Sequence, residues 1–399
     1  MEGQLSDLPL AGVRVLDLSR LLPGGFCSLL LADFGADVVK VEAPGGGDPL
    51  RDWPPFHDGA GSAPFMALNR NKRSIRLDLK TPSGCDVLRR LVRGHDVLLE
   101  SFRPGVLDRL GVGYSELREE NPRLVYCAIT GYGQDGPLRE RAGHDINYLA
   151  RAGLLGLSGE RLGPPTTSAG QIADLGGGAL LAAFAILAAL RERERSGCGQ
   201  LVDVAMADGA LAWLALVAAG RLAGAPEPER GSIELGGGLL CYRPYRCADG
   251  WVTLGALEPK FWAAWCRGVG REELVDCQFH PPGSPAHRAV EEIFSGRTRG
   301  EWEAFGAEHD CCLEPVLGLD DVLDSAQVRA RGMVVEIDQP GADRPVRQLG
   351  IPVRLSRTPG DHRRRPSPAP GEHTAAVLAD AGYDAAEIAA LERAGAVAR

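Results

Sequence analysis

The chain has 399 residues, 44% of them hydrophobic and 24% charged, with a net charge of −9, an ordinary globular composition that argues against a nucleic-acid binder. Length alone allows roughly two or three domains around a substantial core. Ten cysteines occur without a C-x-x-C pair, which suggests neither a zinc site nor a disulfide framework and makes a reducing cytosol the simplest expectation. The N-terminus lacks a basic stretch followed by an apolar core, and the longest apolar run, residues 179–190, is too short for a bilayer. Neither export nor membrane insertion is therefore expected.

From residue 13 onward, strand-like and helix-like stretches alternate. Residues 13–18 read as a strand, 26–34 as a helix and 37–42 as a strand. A second round places a strand at 74–79, a helix opening after Thr81-Pro82 and running to Arg93, and strands at 96–100 and 124–129. Short β-branched runs separated by helices predict an α/β fold with a mostly parallel sheet covered on both faces. The glycine- and proline-rich stretch 44–64 is either a loop beside a ligand or a plain surface loop. Residues 131–136 fit G-x-G-x-x-G, but Pro137 and charged residues follow in place of an apolar helix, so the dinucleotide fingerprint fails its context.

Asp174 reads as the N-cap of a helix running to Arg195, apolar nearly all round and hence buried. A second hydrophobic helix is expected over 205–219, then a glycine- and proline-rich linker to residue 238. A smaller α+β domain begins at 239, with a hairpin about Ala248-Asp249-Gly250 and helices at 259–267, 286–294 and 298–305. The division expected is a large domain over 1–204, a linker over 205–238, the small domain over 239–318, and a return to the large domain over 319–399.

The chemistry-bearing residues concentrate between Gly143 and Gly178. His144 stands between Gly143 and Asp145, and Asp174 opens the sequence Asp174-Leu175-Gly176-Gly177-Gly178. Histidine titrates near neutral pH and desolvation can raise a carboxylate toward the same range, which makes His144 and Asp174 candidate proton-transfer partners. Taken alone, the histidine is more often a core residue and the aspartate more often a cap. The cluster Arg70, Lys72, Arg73, Arg76 and Lys80 is either a solvated edge or an anion site. His57, His95, His280, His287, His309, His362 and His373 show no metal-ligand spacing.

Several motifs coincide with one family: LAGVRVLD at 10–17, LADFGADVVKVE at 31–42, Arg103-Pro104-Gly105, GYGQDGP at 131–137, GHDINY at 143–148, ADLGGG at 173–178, Gly199-Gln200, and GALEP at 255–259. In these the chain resembles the family III CoA-transferases and, within them, the α-methylacyl-CoA racemase branch. The resemblance implies an interlocked homodimer, a Rossmann-like large domain with a parallel sheet that binds CoA, and a smaller α+β domain. It implies catalytic roles for His144, Asp174 and Glu258. Arg76, Leu77, Asp78 and Leu79 match a CoA-contacting segment, Arg73, Lys80, Arg103 and Arg109 are implied phosphate partners, and Leu21 the adenine side. Ala142, Gly143, Asp145, Ile146, Asn147 and Tyr148 complete the implied binding set. Ala43 stands where relatives commonly carry an arginine toward CoA phosphate, and Lys40 or Arg51 is the expected substitute.

The activity implied is epimerisation of 2-methylacyl-CoA thioesters by 1,1-proton transfer through an enolate, in fatty acid metabolism. No metal, and no cofactor beyond the substrate's own CoA moiety, is expected, nor a nucleic-acid or membrane partner. The alternative is transfer of CoA between carboxylic acids through an aspartyl-CoA thioester at Asp174, toward which the polar stretch 164–172 and the Gly236-Gly237-Gly238 run lean. Inverting a carbon beside a thioester needs one group to remove the α-proton and another to deliver a proton to the opposite face. The developing enolate oxygen needs hydrogen-bond donors, which the backbone at the start of the Asp174 helix is expected to supply; losing one such donor typically costs about 3 kcal/mol of barrier.

Overall fold

A computed structural model describes residues 8–398; residues 1–7 and 399, the outermost ends of the expected large-domain segments, lie outside the described residues. Arg14–Asp17 form β1, Leu21–Asp33 α1 and Asp37–Glu42 β2, followed by β3 (Lys72–Leu77), α2 (Pro82–Val92), β4 (Val97–Glu100) and β5 (Val125–Thr130). The Thr81-Pro82 signal works as chemistry predicts. Thr81 accepts from Gly84 N–H as the N-cap and Pro82, with no N–H to satisfy, occupies the first turn. Each strand is buried almost throughout, as the interior of a parallel sheet covered on both faces requires.

Next come α3 (Asp145–Arg151), a π-helical segment Ile172–Leu180, α4 (Leu181–Ser196), β6 (Leu201–Ala205) and α5 (Met206–Ala212). The C-terminal strand Val397–Ala398, β3, β2, β1, β4, β5 and β6 lie in that order in one seven-stranded sheet. Every pairing is parallel except that of the C-terminal strand, which runs antiparallel to β3 through Val397 and Leu77. The order 3-2-1-4-5-6 reverses between β1 and β4, and in open α/β sheets ligands enter beyond the carboxyl ends of the strands at such a reversal.

Three sequence expectations change here. Asp174 is not an N-cap: Gln171 holds that position and Asp174 lies inside the π turn. The glycines after it permit a close crossing with α5, since a Cβ on Gly177 would lie 2.9 Å from Ala210 N and one on Gly209 only 2.2 Å from Gly177 O. The helix is not buried all round either. Ala182, Ala183, Ile186 and Ala189 face inward, while Leu180, Leu181, Phe184 and Leu187 form an exposed stripe, with Phe184 71% exposed. The helix expected over 205–219 begins after a strand, because residues 201–205 pair with β5, and it breaks after Ala212.

The π segment and α4 together make a helical run, Ile172–Ser196, of 25 residues, long and apolar enough to cross a membrane by length and composition, whereas the sequence isolates only 179–190. The π segment packs between α1 and α5, and the final turns of α4 carry Arg191, Glu192, Arg193, Glu194 and Arg195.

The chain divides into two compact units, residues 8–152 with 169–212 and 326–398, and residues 153–168 with 213–325. Residues 205–212 thus join the sheet-bearing unit through the glycine crossing, whereas 153–168, expected in the large domain, joins the second. There Arg161 pairs with Glu229 at 2.9 Å and its backbone packs on Gly231. The second unit holds an antiparallel sheet of Tyr242–Cys247, Gly250–Gly255 and Leu313–Pro315, the first two joined as the hairpin signal predicts. Its core is aromatic, with Tyr245 stacked on Phe294 at 4.5 Å and Trp262 on Trp265 at 5.1 Å.

Candidate active site

A cleft of about 460 Å³ opens in the first unit at the carboxyl ends of β1, β4 and β5, where the strand order reverses. The chain after β1 contributes Arg20 and Leu21, the chain after β4 contributes Ser101 to Pro104, and the end of β5 contributes Ile129 to Gly131. His144 and Asp174 both line it, His144 from the N-cap of α3 and Asp174 from the π segment.

The GHDINY residues build this corner. Asn147 Oδ1 accepts from His144 N–H at 3.0 Å, and Tyr148 Oη donates to Gly143 O at 2.5 Å. The Tyr148 ring lies so close to the backbone that a Cβ on Gly131 would meet its Cε1 at 2.4 Å and one on Gly143 at 2.7 Å, so both glycines are steric necessities. Asp145 then joins the two candidate bases: its Oδ1 accepts from Asp174 N–H at 2.9 Å. Burial, followed by the Asp145 charge, pushes the Asp174 carboxyl up to about 6, with His144 opposing the rise. Burial and then the Asp174 charge push the Tyr148 hydroxyl up to about 12, so it stays a neutral donor.

The structure brings Leu21, Arg103, Ala142, Gly143, His144, Asn147, Tyr148 and Asp174 onto one cleft. Asp145 stands behind Asp174, and Ile146 sits beside it in the first turn of α3. The β3 segment is placed elsewhere. Arg73 is buried and paired with Asp37 at 2.6 Å and Asp380 at 2.9 Å, Leu77 lies in the core with Leu79 packed against it, Arg76 sits opposite Ala398, and Asp78 accepts from Lys80 N–H. Lys80 and Arg109 are exposed, and the Arg109 and Arg139 guanidinium groups both approach Gly105. None of Arg73, Arg76, Leu77, Asp78, Leu79, Lys80 and Arg109 lines the cleft. Glu258 belongs to the second unit, exposed at the N-cap of the helix Pro259–Gly268.

Two further expectations are corrected. Lys40 and Arg51 cannot take the place of an arginine at position 43 on a phosphate: Lys40 is fully buried against Asp48 at 2.7 Å, and Arg51 grips Glu42 with two donors and lies 3.7 Å from the Phe65 ring centre. The backbone donors expected at Asp174 are also committed, Asp174 N–H to Asp145 and Leu175 N–H to Gln171 O.

Three arginines that were not expected from the sequence, Arg20, Arg139 and Arg141, line the cleft, all exposed. For Arg139 and Arg141 the signal was the charged run after Pro137, read only as grounds for rejecting a dinucleotide site. Leu21 has a conformation that nothing in the sequence marks, φ +62° on the cleft wall, where a left-handed backbone costs an L-residue roughly 1–2 kcal/mol.

Comparison with known proteins places these features. The family CoA-transferase family III matches residues 10–374. Alpha-methylacyl-CoA racemase of Mus musculus is 38% identical over 389 residues, covering 96% of each chain. Succinate–glutarate CoA-transferase of Agrobacterium fabrum is 37% identical over 390 residues, covering 93% of this chain and 95% of its own. A crystal structure of a CaiB/BaiF family protein from Brucella suis superposes with a TM-score of 0.82 at 33% identity, covering 94% of this chain and all of that one.

Proposed function

Because this chain belongs to CoA-transferase family III, an enzyme family, we propose that it epimerises 2-methylacyl-CoA thioesters by 1,1-proton transfer, with His144 and Asp174 as the two acid/base groups. The observation that carries the reading is one cleft bearing both groups, with the Asp174 carboxyl raised to about 6. A carboxyl in that range exchanges its proton near neutrality, as reversible α-proton transfer needs, whereas a covalent carrier gains from staying ionised.

One group removes the α-proton as the C–H electron pair moves into the thioester carbonyl, and the other delivers a proton to the opposite face as the enolate collapses. The basic rim of Arg20, Arg103, Arg139 and Arg141 suits the anionic CoA moiety. A catalytic role for Glu258 rests on the resemblance, and its test is the rate of α-proton exchange in Glu258→Gln. A homodimer is part of the proposal, supported by the apolar stripe on α4. A reducing compartment is supported by ten unpaired cysteines.

A second reading, CoA transfer through an aspartyl thioester at Asp174, is favoured by the transferases among the relatives. Incubation with (2R)-2-methylacyl-CoA in deuterated water, with no second acid, separates the two. Deuterium uptake at the α-carbon with inversion, abolished in His144→Ala and Asp174→Ala, is the expected outcome. Absence of exchange, with CoA passing to an added carboxylate and hydroxylamine trapping at Asp174, overturns it in favour of the transferase.

A further inference from the structure

The cleft wall at Arg20 and Leu21 stands on a buried charge network that the proposed chemistry does not use. Lys40 and Asp48, 0% and 1% exposed, form an ion pair at 2.7 Å beneath the turn that links β1 to α1. Lys40 Nζ donates to Ser19 O at 3.2 Å, while Asp48 Oδ1 accepts from Leu21 N–H at 3.3 Å. The pair therefore grips the peptide groups on both sides of Arg20. The grip is anchored from below. Asp48 N–H donates to Glu42 Oε2 at 3.0 Å, and Asp17 accepts from Ser19 N–H at 3.0 Å while pairing with Lys72 at 3.4 Å. Leu21, held at φ +62°, is one of four non-glycine residues with positive φ among the described residues, and of these four it alone lines the cleft. A left-handed leucine persists only where its surroundings over-determine it, and such strain collects at ligand sites.

We propose that Lys40 and Asp48 are positioning residues for CoA-ester binding: their ion pair clamps the Ser19–Leu21 turn in a left-handed conformation that an unclamped leucine would seldom adopt. This rests on the assignment of the cleft to a CoA thioester. Without the clamp, the binding-competent turn becomes a minor population and the apparent Kd rises by the inverse of that population. Glycine reaches the left-handed region about as readily as the right-handed one, so at position 21 it has far less need of the clamp.

The test is a cycle. Replacing the pair by Lys40→Met with Asp48→Asn strands no buried charge. Calorimetric Kd for CoA is measured for the native protein, the neutral pair, Leu21→Gly, and the triple variant, with kcat followed alongside. In the leucine background the neutral pair is expected to weaken CoA binding about tenfold with kcat within about twofold, and in the glycine background only about twofold. An equal loss in both backgrounds, an unchanged Kd in a folded variant, or a loss confined to kcat overturns the clamp. Should the neutral pair not fold, Asp48→Asn alone weakens the same grip while Asp17 still compensates Lys40, and the same comparison is read on it. Failure of the native protein to bind CoA would instead sink the functional assignment.

Discussion

Asp174 carries a conflict that its surroundings impose. The folded protein holds its proton more tightly than the unfolded chain does, because burial and the Asp145 charge both disfavour the carboxylate. Ionisation therefore costs stability above about pH 6, and the cost vanishes as the pH falls toward the unfolded value. Asp174→Asn is accordingly expected to melt a few degrees above the native protein at pH 7.5, with the gap closing by about pH 4, although it is inactive in α-proton exchange. The kcat/KM profile of the native enzyme should show an ascending limb near pH 6, and Asp145→Asn, which keeps the acceptor oxygen but removes the charge, should shift it downward. A native protein more stable than Asp174→Asn at pH 7.5 would contradict a raised Asp174. That His144 and Asp174 are candidate bases was readable from their glycine-rich settings, but the Asp145 bond that joins them was not, because a carboxylate next to a histidine gives no hint of which distant N–H it accepts from.

The π segment serves both the packing against α5 and the wall of the cleft. Its glycines admit the α5 backbone, and the same widened turn carries Asp174 to the cleft wall. Gly209→Ala would put a methyl group about 2.2 Å from Gly177 O, so the crossing must open. The expected cost is about 2–3 kcal/mol in urea unfolding, with a disproportionate loss of kcat as Asp174 shifts. Full activity in a variant destabilised by that amount would show that the crossing serves packing alone. Helix propensity marked this stretch as a capped α-helix starting at Asp174; tertiary contact with α5, which propensity does not sense, set the start at Gln171 and the pitch as π.

For the molecule as a whole, the exposed stripe Leu180, Leu181, Phe184 and Leu187 is the feature a lone chain leaves unexplained. Phe184→Asp leaves the buried face of α4 untouched, so the fold should survive by circular dichroism, and if the stripe seals the proposed homodimer, sedimentation should show that association weakened. An unchanged dimer would place the interface elsewhere. The parallel strands between residues 13 and 130 and the helices α1 and α2 were legible because each has its own period and its own punctuation, as at Thr81-Pro82, whereas the short helices Ala63–Asn69, Val106–Arg109 and Tyr114–Glu120 were not. The sixth parallel strand was not, because the residues 201–205 sit between two apolar helices and only their pairing with β5 identifies them.

Sequence alone therefore established the α/β class, the family and the two candidate bases, since these depend on local periodicity and on residue types in short motifs. Tertiary structure decided which charges are available. Arg73, Lys40 and Arg51 read as phosphate ligands along the chain, yet each is taken up by a carboxylate, two of these brought from remote strands or helices and two from the loop and strand nearby, while Arg20 and Arg141 line the cleft and Arg139 does so with Glu140 3.9 Å away at its exposed side. A side chain's charge is a local property, but whether that charge is already neutralised depends on which other segments, near or remote, fold against it.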